Sequence, residues 1–234
     1  MTQESKRAAE WAAGESMQAT CHAIEHPEER SVPVITARQR QDRYDTILAA
    51  AKSVFAERGF VGASIGDIAR RANVSDGLVY RYFDNKRDLL FHVLRVFYER
   101  IIAELEEAVL RETRFEARLR KLIRRHLEVF VADADLCRLF ISEVRVASDY
   151  QGSAIQALNR EYTAILIRIV DAAQTEGAVR RDVNPRLLRD VIFGAIEHRA
   201  WRYVNGRGEL DTARTARDLT KLLVNGMNVK DAAA

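Results

Sequence analysis

Cysteine is almost missing from this sequence: Cys21 and Cys137 stand far apart among 234 residues, with no paired-cysteine spacing near either. That excludes a disulfide framework and a cysteine zinc site, and it fits a reducing cytoplasm. Proline (three) and glycine (eleven) are also scarce. Long stretches of Ala, Leu, Ile, Arg and Glu remain uninterrupted, which points to an all-α protein. No run approaches the roughly 18 apolar residues that would cross a bilayer, and the first residues lack the apolar core of a secretory signal. The expectation is a soluble, cytoplasmic chain with no membrane partner. Charge of one sign is barely in excess, at +3. Any nucleic-acid binding must therefore come from local clustering of basic residues and not from a global field. There is no glycine-rich phosphate loop, no nucleophile elbow and no metal-spaced cluster, and His22, His26, His92, His126 and His198 are scattered singly. No catalytic residue, metal or cofactor is expected, and the chain does not read as an enzyme.

What the sequence does contain is organised around Ser64 to Leu90. Ser64 is placed to cap a short helix, with Asp67 three residues on where its charge suits the helix start. Ile65, Ile68, Ala69 and Ala72 have the spacing of one buried helical face. Asn73 tolerates the left-handed backbone that ends a helix, and Val74 plugs the corner. Ser75 opens a second helix with Val79, Tyr82 and Phe83 as its inner face. Asp84 and Asn85 close that helix and cap the next, which begins near Lys86. A helix, a tight turn and a second helix can set the second one into the major groove of DNA while the first braces it.

These residues resemble the DNA-binding domain of TetR-family transcriptional repressors. The likeness is carried by Asp67-Ile68-Ala69, Val74-Ser75, Gly77, Tyr80, Tyr82-Phe83, Lys86 and Leu89-Leu90, and it covers roughly residues 40 to 95. It implies a dimer on palindromic double-stranded operator DNA, with Tyr80 and Lys86 gripping the backbone. Asp76, Gly77, Leu78, Arg81 and Tyr82 match the surface that reads bases and backbone. Ser64 and Ser75 complete this set as capping hydroxyls. Arg40 and Arg43 stand just before the first confident helix, as an arm toward phosphates or as a solvated charge run. Leu78 departs from the small hydroxyl residue common there, so the operator sequence does not carry over from relatives. Asn73 likewise replaces the usual glycine.

Along the chain, residues 1–38 read as a poorly ordered tail, 39–92 as the helix-turn-helix domain, and 93–234 as an effector-binding and dimerisation domain. The first helix is expected from Gln41 to Arg58, stopped by Gly59, with a small core of Ile47, Val54, Phe55, Phe60, Ile68, Val79 and Phe83. The helix from Lys86 to about Glu107 joins the two domains without a flexible linker and can act as a lever. Further helices are expected over Arg114–Leu136, Leu136–Ala147, Ser153–Gly177, Pro185 to about Asn205, and Thr212–Met227. The pair Ser153–Gly177 and Pro185–Val204 is suited to a four-helix bundle with a second copy or to an intrachain core. Phe130, Phe140, Glu143, Tyr162, Phe193, Glu197 and Trp201 form the candidate ligand set. The last segment is similar to that of fatty-acid-responsive members, which implies an acyl-CoA effector; Arg120, Arg124 and Arg125 then serve its phosphates or form a solvated face. The expected function is a ligand-responsive repressor released by a small hydrophobic effector. The alternatives are a regulator whose second domain only dimerises, and a helical enzyme.

Overall fold

A computed structural model describes residues 36–227, and every regular element among them is helical. The elements are α1 (Ala37–Gly62), α2 (Ile65–Ala72), α3 (Asp76–Tyr80), α4 (Lys86–Leu110), α5 (Phe115–Ala132), α6 (Ala134–Leu139), a π-helical turn (Phe140–Val144), α7 (Ala154–Thr175), α8 (Pro185–Val204) and α9 (Thr212–Met227). The reading of residues 1–38 as a tail lies, up to residue 35, outside the described residues. From Ala37 on, the expectation of an arm is corrected. Arg40 and Arg43 sit on the exposed first turns of α1, which starts earlier than its apolar stripe. The helix needs no apolar residue to begin, because polar residues with good helix propensity extend it into water.

The small head forms as its caps dictate. Gly59, with φ 68°, breaks α1 where only glycine is unstrained, and the chain makes one more turn to Gly62. The Ser64 hydroxyl accepts the amide of Asp67 (3.1 Å), and Asn73 takes the left-handed conformation at the end of α2. Ser75 and Asn85 cap α3 and α4 in the same manner. The second helix is shorter than expected, ending at Tyr80. Tyr82 and Phe83 belong to the turn that follows it, yet Phe83 is still buried with Ile47, Phe55, Ile68 and Val79.

The rest of the chain packs around α4 and α5. α4 lies against α1 on one side and against α5 and α7 on the other, while α9 runs along α5, and α8 contacts both α5 and α7. Leu90, Leu94, Ile101 and Leu105 of α4 are fully or nearly buried. Each such side chain contributes about 1.5–3 kcal/mol of burial. One expected helix over Leu136–Ala147 is instead α6 followed by the π-helical turn. Such turns insert an extra residue into the ladder and recur at functional sites.

Candidate functional site

Two surfaces carry chemistry. The first is the head. Asp76, Gly77, Tyr80 (56% exposed) and Arg81 stand outward on and just after α3, and a side chain at Gly77 would meet open space. Ser75 is exposed but its hydroxyl caps the Leu78 amide (3.3 Å), and Leu78 is half-buried. Ser64 is likewise a cap, and its hydroxyl also donates to the Asp67 carboxylate at 2.7 Å. That hydrogen bond, opposed by some desolvation and helped by Arg58, holds Asp67 below the usual carboxylate range.

Two predicted DNA contacts turn inward. The Tyr82 hydroxyl donates to the Arg40 carbonyl (3.3 Å). The Lys86 ammonium donates to the carbonyls of Phe60 and Ala63, both at 2.7 Å, and lies 4.6 Å from the centre of the Phe60 ring. Its position at the start of α4 is explained by the backbone carbonyls that follow the Gly59 break, which take up its charge. In the chain alone, the Lys86 donors are taken up by these carbonyls and not turned outward.

The second surface is a cavity of about 520 Å³ bounded by α4, α5, the π-helical turn, α7 and α8. Phe97, Tyr98, Phe130, Phe140, Tyr162 and Phe193 supply aromatic walls. Five of the seven predicted ligand residues line it: Phe130, Phe140, Tyr162, Phe193 and Glu197. Trp201 does not; it is 39% exposed on the outer side of α8. Glu143 also points elsewhere, accepting the Phe60 amide at 3.1 Å. A polar residue in an apolar helix looks the same in sequence whether it faces a cavity or a neighbouring backbone, and here it is the latter. Arg120, Arg124 and Arg125 lie outside the cavity, engaged by Glu116 and Glu128.

Several residues outside the predicted ligand set define the polar part of the cavity. The Tyr98 hydroxyl donates to Asn159, whose amide donates to Tyr150, both at 3.2 Å. Burial raises Tyr98 and Tyr162 well above the ordinary phenol range, so both stay protonated. The Tyr162 hydroxyl and Nδ1 of His126 share a hydrogen bond of 2.9 Å. Burial pushes His126 down to about 3 and Cys137, another wall residue, up to about 12. Arg145 makes two parallel hydrogen bonds to Glu197, both 2.6 Å. Arg160 and the Arg189–Asp190 pair stand at the rim, and among the described residues no carboxylate pairs with Arg160. Arg145 was visible in the sequence as a basic residue in an apolar helix. The remaining members come together only through long-range packing.

The head and cavity meet at a small junction. Phe140, Ile141 and Arg145 face the cavity, while Glu143 on the same turn holds the Phe60 amide. A side chain on Gly59 would press against the Glu143 carboxylate at 3.2 Å. Nearby, Asp133 receives Lys52 of α1 and Arg100 of α4 (2.5 Å to the latter). Burial opposes the charge on Asp133, but hydrogen bonds from both cations outweigh it and keep the carboxyl low.

A short head of this build, joined by a rigid helix to a helical domain with an aromatic cavity, is matched by known proteins. Residues 47–93 match the model of bacterial regulatory proteins of the tetR family, and residues 112–227 match a tetracyclin repressor-like C-terminal domain. The chain belongs to the TetR family of transcriptional regulators. The fatty acid metabolism regulator protein of Bacillus subtilis strain 168 is 27% identical over 193 residues, spanning 82% of this chain and 100% of that protein. The transcriptional repressor KstR2 of Rhodococcus jostii RHA1 is 24% identical over 193 residues, 80% of this chain and 92% of that one. Among solved structures, FadR from Bacillus subtilis in complex with stearoyl-CoA superposes with a TM-score of 0.72 at 27% identity, covering 78% of this chain and 98% of that one. No described helix is long and apolar enough to cross a membrane, and no three metal-binding side chains gather among the described residues.

Proposed function

We propose that this TetR-family chain is a homodimeric repressor of palindromic operator DNA, released by a long-chain acyl-CoA. Residues 39–92 form the DNA-binding unit in this reading, and the effector and dimer unit begins near residue 93. The observation that carries it is the cavity: aromatic within, arginine-bearing at its rim, and joined to the head by one π-helical turn. A volume of about 520 Å³ falls in the range of small-molecule sites, about 300–1,000 Å³. The acyl tail occupies the aromatic interior, and the phosphates of the headgroup remain at Arg160 and Arg189. The relative solved with stearoyl-CoA supports the ligand class.

The dimer seam is assigned to α8 and α9. Large apolar side chains left exposed in this region are Leu187, Val191 and Trp201 on α8 and Leu222 on α9, whereas α7 exposes none. This moves the seam from the α7–α8 pair suggested by helix length. A two-fold axis there sets two heads about one DNA turn apart. Effector binding pushes Phe140 and Ile141, the turn carries Glu143 with it, and the end of α1 follows. The population then shifts to a head spacing that does not fit the operator.

The test is fluorescence anisotropy of the purified protein on DNA from upstream of its own gene, with and without stearoyl-CoA. Binding that the acyl-CoA weakens supports the reading. Binding that no acyl-CoA changes removes the effector, and an absence of DNA binding at low salt removes the repressor.

A further inference from the structure

Phe97 belongs to two spaces at once. It is part of the aromatic wall of the effector cavity, and it also borders a separate groove of about 260 Å³ between α1 and α4. The floor of that groove is apolar, with Leu48, Val93 and Leu136, and its far side is α1 of the DNA-binding head. The Phe97 side chain is buried, so its ring is a partition and not a surface residue. The Arg100 guanidinium lies 5.8 Å from the ring centre, and Arg100 is itself fixed by Asp133, which also holds Lys52 of α1. The partition is therefore braced from behind by ionic contacts that reach the head.

We propose that Phe97 is a specificity-determining residue that sets the longest apolar tail this site accepts. A tail that ends before the ring leaves it in place. A longer one must displace it toward the groove, against the brace of Arg100. Each methylene that fits or fails to fit an apolar pocket changes affinity by about tenfold or more, so one ring that parts the cavity from the space beyond is enough to set a chain-length preference. Of the aromatic walls, Phe97 is the one shared between the effector cavity and this groove. Removing Phe97 joins the two spaces, whereas trimming Phe130 or Phe193 only widens one.

This inference rests on the acyl-CoA reading above. The experiment measures binding of a ladder of saturated acyl-CoAs, from medium to very long chain, to the full-length protein and to Phe97→Ala, Phe97→Leu and Phe97→Trp. The expected result is that the tail length bound most tightly rises in Phe97→Ala and Phe97→Leu and falls in Phe97→Trp, with the long-to-short affinity ratio moving by about tenfold. A uniform loss of affinity with an unchanged optimum, in whichever variants fold, would overturn it while leaving the effector reading intact. If the unaltered protein binds no member of the ladder, the effector reading fails first and the proposal with it.

Discussion

Replacing Glu143 by alanine separates a structural joint from a signalling one. Its carboxylate receives the Phe60 amide at 3.1 Å, next to Gly59, whose φ of 68° interrupts the helical ladder of α1. The substitution leaves that amide without its acceptor. A hydrogen bond to a charged group contributes about 1.5–3 kcal/mol, and the half-exposed setting puts this one at the low end, about 1–2 kcal/mol. For a chain of this size the melting temperature falls by about 2–4 °C per kcal/mol, hence about 2–8 °C, read by circular dichroism. The decisive measurement is the ratio of operator affinities without and with effector. Coupling in such proteins is typically about 5–150-fold, and Glu143→Ala should reduce the ratio to within about twofold of one. Effector affinity in the absence of DNA should stay within about threefold of the starting protein, since the side chain does not line the cavity. Glu143→Gln keeps an acceptor oxygen and should retain most of the coupling. A lowered melting temperature with an unchanged ratio would show that the contact only holds the joint together.

Other outcomes test the remaining geometry. Lys86→Met should lower thermal stability while leaving the slope of log affinity against log salt unchanged, because its ammonium is spent on the carbonyls of Phe60 and Ala63; a slope reduced by about one returns Lys86 to the phosphate backbone. Arg81→Ala should change which operator variant binds best in a competition assay, and Tyr80→Phe should weaken all variants alike if its hydroxyl meets phosphate. His126, held at about 3 against an ordinary 6.5, stays neutral in the fold while the unfolded chain takes up its proton first. Its contribution to stability is therefore complete above pH 6.5 and declines as pH falls toward 3. That is a loss of about 2 kcal/mol at pH 5, and the pH dependence of denaturant unfolding should flatten correspondingly in His126→Phe. Glu197→Gln weakens the paired hydrogen bonds to Arg145 and should tighten binding of an anionic effector by about threefold or more if Arg145 then turns to the ligand; calorimetry showing weaker binding would refute that freeing of Arg145.

Much of the fold was legible because helix ends and apolar faces are local properties. Ser64, Asn73, Ser75 and Asn85 announce their turns through backbone chemistry within four residues, and each acts as its type predicts. The π-helical turn was not legible, since inserting one residue into the ladder leaves Leu139, Phe140, Ile141 and Val144 as apolar as an ordinary helix would be. The cavity was half legible for a related reason. Phe130, Phe140, Tyr162 and Phe193 were marked by their aromatic type, but the Tyr98–Asn159–Tyr150 chain and the partition at Phe97 depend on how distant helices meet.

Lys86 and Glu143 show the same division between what charge requires and where it is satisfied. A cation at the first turn of a helix does need a negative partner, as the dipole argument holds. The partner is not named by the local sequence, and it turns out to be the backbone carbonyls of Phe60 and Ala63, after the Gly59 break. Glu143 needs a donor by the same logic and finds the amide of Phe60. Phe60 is thus gripped from both sides, its carbonyl by Lys86 at the start of α4 and its amide by Glu143 on the π-helical turn. Phe140 and Ile141 in the cavity wall stand on the same turn as Glu143, so this turn is one of the links between the cavity and the head, beside α4. If the proposed effector acts through this turn, substitutions within residues 59–63 should alter the coupling between effector and operator, read as the ratio of operator affinities without and with acyl-CoA.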